Sequence, residues 1–100
     1  MAFVQIIEFR TSDIERARQI NDEWWRATEG KRTVRRELLA CDHSDPSHCF
    51  AVVFFDSYES AMENSELPVT AEFSKRMMAL GDGPPAFYNL DVVEDVGNVG

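Results

Sequence analysis

Residues 3–9, Phe-Val-Gln-Ile-Ile-Glu-Phe, are β-branched or aromatic except for Gln5 and Glu8, and predict a strand that is apolar on both faces. Ser12 with Glu15 has the spacing of a capping box and predicts a helix running to Glu29, with Gly30 as its left-handed stop. Ile14, Ala17, Ile20, Trp24, Ala27 and Thr28 fall on one stripe of that helix. A second strand is expected over Thr33 to Cys41, where apolar and polar positions alternate only in part. Asp42 to Ser47 carries turn chemistry, and Cys49 to Phe55 then runs without a polar residue besides the thiol. That third strand must be buried on both faces, and so short a loop makes it an antiparallel hairpin with the second.

Asp56 with Glu59 repeats the capping-box spacing before a short helix bearing Tyr58, Ala61 and Met62. Pro68 breaks it, and Thr70 is expected to cap a further helix from Ala71 to Leu80 with Phe73, Met77 and Leu80 on its apolar stripe. A last strand is read over Ala86 to Val93, followed by a polar tail from Glu94 to Gly100 that is expected to fray. Strand, helix, two strands, helices, strand is the βαββαβ order of an α+β, ferredoxin-like antiparallel sheet with helices on one face. It implies one domain over residues 1–100 with an ordered core of about 3–94. Two helical segments cover one face of four strands, yet the first and third strands are apolar on both. A second copy of the sheet packed back to back would cover the other, so a homodimer is expected.

Composition narrows the function classes. Eighteen acidic against ten basic residues leave a formal charge of -8, which repels phosphate backbones and argues against nucleic acid as a partner. There is no apolar run long enough to cross a membrane. The first residues carry Glu8 and no basic region, unlike a secretory signal, so a cytoplasmic location is expected. Two cysteines set no disulfide framework; Cys41 and Cys49 are expected as free thiols that can lie opposite each other across the hairpin.

The pattern from residue 3 to 93 resembles the dimeric α+β barrel superfamily, which includes the antibiotic-biosynthesis-monooxygenase-like, EthD-like and stress-responsive A/B barrel proteins. The resemblance rests most on the stretch from Phe54 through Asp56, Tyr58, Ala61, Leu67 and Pro68 to Phe73, and looks closest to small uncharacterised actinobacterial members. It implies a pocket between the sheet and its helices. Many members carry a histidine where the short helix ends; Asn64 stands there in this chain, which puts histidine-dependent chemistry in question. The superfamily hosts several unrelated activities, so the resemblance implies a fold rather than a reaction.

The candidate chemistry is sparse. Trp24, Trp25, Phe73 and Met77, with Gln5 and Asn89 from the strands, are the expected lining of a ligand pocket. His43 and His48 are the candidate general bases near neutral pH, and Glu8 is a third catalytic candidate. An ion pair of Glu8 or Asp91 with Arg35 or Arg36 is the structural alternative. Asn64 and Tyr58 are read as surface or capping residues. Cys41, His43, His48 and Cys49 form the one cluster of soft ligands, but His48 and Cys49 are neighbours on a strand and leave opposite faces, so no metal is expected there. Phosphate loops, nucleophile elbows and metal-binding helices are missing from the sequence, and no cofactor is expected. The expected function is binding of a small apolar or aromatic molecule, with cofactor-independent monooxygenase-like or isomerase-like chemistry if the protein is an enzyme. The alternative is a non-catalytic, stress-responsive-type barrel.

Overall fold

The computed structural model describes residues 2–97; residues 98–100 of the expected tail lie outside the described residues. The chain runs β1 (Phe3–Arg10), α1 (Ile14–Ala27), β2 (Arg36–Cys41), β3 (His48–Phe55), α2 (Tyr58–Glu66), α3 (Pro68–Leu80) and β4 (Ala86–Asp91). The sheet order is β2-β3-β1-β4, with every neighbouring pair antiparallel. This is the α+β, ferredoxin-like arrangement that the order of elements predicts.

The register explains why β1 and β3 are apolar throughout. Phe3, Gln5, Ile7 and Phe9 pair with Phe55, Val53, Ala51 and Cys49, and these residues form the inner face, toward the helices. Val4, Ile6 and Glu8 pair with Phe54, Val52 and Phe50 on the outer face. Along β3 the inner residues Cys49, Ala51, Val53 and Phe55 are buried, whereas His48, Phe50, Val52 and Phe54 alternate with them as half-buried positions. The helices therefore shield one face only. Phe3, Trp24, Val34, Val53, Phe55 and Ala61 form the buried cluster, with Trp25, Met62 and Phe73 packed against it.

Local chemistry moves several boundaries. Asp13, not Ser12, caps α1 by accepting the Arg16 N–H at 3.1 Å, while the Thr11 hydroxyl accepts the Asp13 N–H. Helix α1 ends at Ala27 with Thr28 as its C-cap, and Gly30 takes its positive φ of 81° two residues on. Ser57 rather than Asp56 caps α2, in a reciprocal box with Ser60. Asp56 is thereby left to pair with Arg35 at 2.5 Å. Helix α3 begins at Pro68 instead of Ala71, because proline at the first helical position lacks only an N–H that would have no helical partner. Strand β2 starts at Arg36, later than Thr33, whose hydroxyl donates to the Ser60 carbonyl. Strand β4 stops at Asp91, short of Val93. Among the described residues no helix is long and apolar enough to cross a membrane.

Candidate functional site

Helix α3 packs against α1 and α2. Small side chains face the space this leaves above the sheet: Ala17 on α1 and Ala51 on β3 are both buried there. The result is a cavity of about 280 Å³. Ile7, Phe9 and Val53 contribute from the sheet, Ile20 and Trp24 from α1, Phe73 and Met77 from α3. Met78 and Phe87 also border it and are 56% and 55% exposed, which places its mouth between α3 and β4.

A few polar groups interrupt this apolar lining, each fixed by a partner. The Trp24 indole N–H donates to the Thr70 hydroxyl at 3.1 Å. Outside the lining, the fully buried Thr28 hydroxyl donates to the Trp24 carbonyl at 2.7 Å and holds the end of α1. Gln5 donates through Nε2 to Asn89 Oδ1 at 3.0 Å across the β1–β4 pair. Asn64 is buried at the end of α2, its Oδ1 accepting the Thr33 N–H at 3.4 Å. Glu37 Oε1 accepts from Asn21 Nδ2 at 2.5 Å and Trp25 Nε1 at 3.0 Å.

Of the pocket residues expected from the sequence, Trp24, Phe73, Met77 and Gln5 come together on the cavity wall. Trp25 does not line it. Successive helical residues differ by about 100°, and the two indoles stand edge to face with their rings 5.8 Å apart. Asn89 is exposed on the edge strand and reaches the cavity only through Gln5.

The expected catalytic candidates lie elsewhere. His43 is exposed in the β2–β3 loop. Glu8 and His48 occupy the outer face, because strand alternation sends them away from the helices. There His48 Nε2 lies 2.6 Å from Glu8 Oε2, and the Tyr88 hydroxyl donates to Glu8 Oε1 at 3.0 Å. Glu8 thus pairs with His48 rather than with Arg35 or Arg36. The hydrogen bond from His48, then that from Tyr88, holds the Glu8 carboxyl below its usual range, and the Glu8 carboxylate raises the Tyr88 phenol. A depressed carboxylate stabilises the fold above its unfolded-state pKa, and that contribution is lost as pH falls through the lowered folded-state value. Carboxyl NMR titration is expected to show Glu8 protonating below the range of exposed glutamates, and His48→Ala to raise its midpoint. An unchanged midpoint in His48→Ala would contradict the pairing.

The hairpin carries paired thiols. Cys41 and Cys49 are cross-strand neighbours with their sulfurs 3.0 Å apart, and both are free. Burial, followed by the hydrogen bond with Cys41, pushes the Cys49 thiol up to about 12. Among the described residues no three His, Cys, Asp or Glu side chains are grouped to hold a metal ion.

Glu37, Asn21, Asn64 and Thr70 escape a reading of the sequence as site residues. Glu37 had a signal: it shares strand parity with the half-buried Leu39. Asn64 had one too, since it follows the buried Ala61 by three residues on α2 and therefore shares its face. Tyr58 does remain largely exposed, set edge-on against Phe3 at 5.5 Å.

No protein-family profile matches the chain, and no curated protein sequence matches it. Solved structures do match over nearly its whole length. SnoaB from Streptomyces nogalater, a cofactor-independent oxygenase solved as an asparagine-to-alanine variant, superposes with a TM-score of 0.83 at 7% identity, covering 97% of this chain and 98% of that one. Rv0793 from Mycobacterium tuberculosis gives 0.78 at 14% identity, over 97% of this chain and 100% of that one. An antibiotic biosynthesis monooxygenase gives 0.74 at 15% identity, over 94% and 100%. The chain therefore shares the fold of these antibiotic-biosynthesis-monooxygenase-like structures.

Proposed function

We propose that this protein binds a small apolar or aromatic molecule in the cavity between its helices and sheet, and that its chemistry, where it has one, is of the cofactor-independent monooxygenase or isomerase kind. The observation that carries the reading is the cavity itself. An engineered apolar cavity of about 150 Å³ admits benzene; at about 280 Å³ this one has room for two fused rings. Its walls supply aromatic and aliphatic contact, with a few fixed polar groups to orient a ligand. The likeness in fold to an oxygenase that needs no cofactor supports the same reading. Among the described residues that line the cavity there is no histidine, cysteine, lysine or arginine, and Glu37 is the one acidic side chain, which favours binding without catalysis as the second reading. Entry of an aromatic probe should move the Met77 methyl signal by ring currents and leave that of Met62, outside the cavity; a Met77 signal that stays still would contradict the proposal.

We further infer that the outer face of the sheet packs on a second copy of the chain. Val4, Ile6, Phe50, Val52 and Phe54 form a contiguous half-buried surface, and Leu38, Tyr88 and Leu90 extend it at 41%, 46% and 44% exposure. Monomeric proteins rarely leave so continuous an apolar face in water. A two-fold partner offers the same surface, so apolar area meets apolar area over both sheets. The cytoplasmic location expected from the sequence accords with the free thiols.

A further inference from the structure

Among the described residues, Glu37 is the one acidic or basic side chain that borders the cavity. It stands on the inner face of β2, paired in register with Val53. Two donors one turn apart on α1, Asn21 and Trp25, converge on the same carboxylate oxygen, Oε1. Trp25 is itself held in place. The Arg32 guanidinium lies 4.0 Å over its ring, and Arg32 Nη1 donates to the Trp25 carbonyl at 2.6 Å. The carboxylate plane is therefore set before any ligand arrives.

The second oxygen, Oε2, is different. Among the described residues it receives no hydrogen bond, and no guanidinium or ammonium pairs with Glu37. An ionised carboxylate has lone pairs for about four donors. One that lacks a countercharge and has no protein donor on one oxygen gains when a ligand supplies a donor, because a hydrogen bond to a charged group is stronger than one between neutral groups.

We propose that Glu37 Oε2 accepts a hydrogen bond from an O–H or N–H group of the bound molecule. Glu37 then determines specificity: among aromatic molecules that fit the cavity, those with a hydroxyl or amino group are favoured over ethers and quinones of equal size. Trp25 acts through Glu37 as a positioning residue, which gives a role to the indole that does not line the cavity. The inference rests on the reading of the cavity as a ligand site.

Calorimetric titration with naphthol and with its methyl ether tests the two separately. The wild type is expected to bind naphthol about tenfold or more tightly than the ether, since only naphthol can donate. In Glu37→Gln the single amide oxygen satisfies Asn21 and Trp25 and turns the NH₂ group toward the ligand, a donor in place of an acceptor. That variant should bind the ether at least as tightly as the wild type does and lose the preference for naphthol, since the oxygen of either probe can accept from the amide. Equal affinity for both probes in the wild type would overturn the role of Glu37 and leave the cavity reading intact. Binding of neither would overturn both. The wild-type comparison decides even if the variant does not fold.

Discussion

Val53→Asp is expected to unfold the chain, and Val52→Asp, one residue along the same strand, to leave it folded but monomeric. Val53 is 6% exposed within the inner cluster, and its cross-strand partners are Gln5 and Glu37, neither of which offers a cation. A carboxylate placed there is either ionised without a partner or protonated out of its range, and either costs more than about 4 kcal/mol. That is a large part of the ~5–15 kcal/mol by which domains of this size are stable. Val52 is half-buried on the outer face, where a lone chain lets a new carboxylate reach water. Its cost falls instead on the sheet-to-sheet contact. Light scattering should give about twice 11.4 kDa for the wild type and 11.4 kDa for Val52→Asp, with an unchanged far-UV spectrum. A wild type that is already monomeric at micromolar concentration would contradict the back-to-back assembly.

Trp24→Ala is the second large effect. The indole is 8% exposed, borders the cavity and donates to Thr70. Truncation of core tryptophan costs roughly 3–5 kcal/mol, the high end belonging to side chains packed on all sides. Trp24 already faces open space on one side, so its loss enlarges an existing cavity, and about 3 kcal/mol is expected. For a domain of this length that corresponds to a fall in Tm of about 12–24 °C. Trp25, half-buried and bordered by Arg32 and Glu37, should cost less on the same replacement. Denaturant titration of both variants checks the order. Equal losses at the two positions, or a loss at Trp24 beyond about 5 kcal/mol, would indicate a filled core rather than a cavity wall.

The fold was legible because its strongest signals are non-local in meaning but local in sequence. Seven apolar residues from Cys49 to Phe55 cannot belong to an exposed strand, and the order of elements then leaves one sheet topology of low complexity. What such a run hides is the direction of each residue. With apolar side chains on both faces, periodicity does not say whether Val52 or Val53 faces the helices; only pairing with β1 does. The caps were displaced by one residue at Asp13 and Ser57, where neighbouring side chains of equal capping ability compete and tertiary demands decide. Asp56, for example, is taken by Arg35.

The apolar side of the candidate site was legible, and the polar side largely was not. Large apolar side chains on two helices that share one sheet face pointed to Trp24, Phe73 and Met77, and these do meet around one space. The polar members were harder. Histidines attract attention by their titration range, yet His48 is turned outward by strand alternation and His43 lies in a loop. Asn64 and Glu37 carry residue types that are mostly exposed in proteins. Their burial follows from the packing of α2 and α1 over β3 and β2, which sequence spacing alone does not encode.

Occupancy of the cavity is most directly read at its methionines. Met77 and Met78 border it, whereas Met62 packs against the buried cluster outside it. In protein labelled at the methionine methyl groups, titration with the methyl ether of naphthol should shift the Met77 signal saturably, with a smaller effect at Met78 near the mouth and none at Met62. Shifts that are absent, that grow without saturation, or that are equal at all three methyl groups would contradict a ligand site between these helices and this sheet.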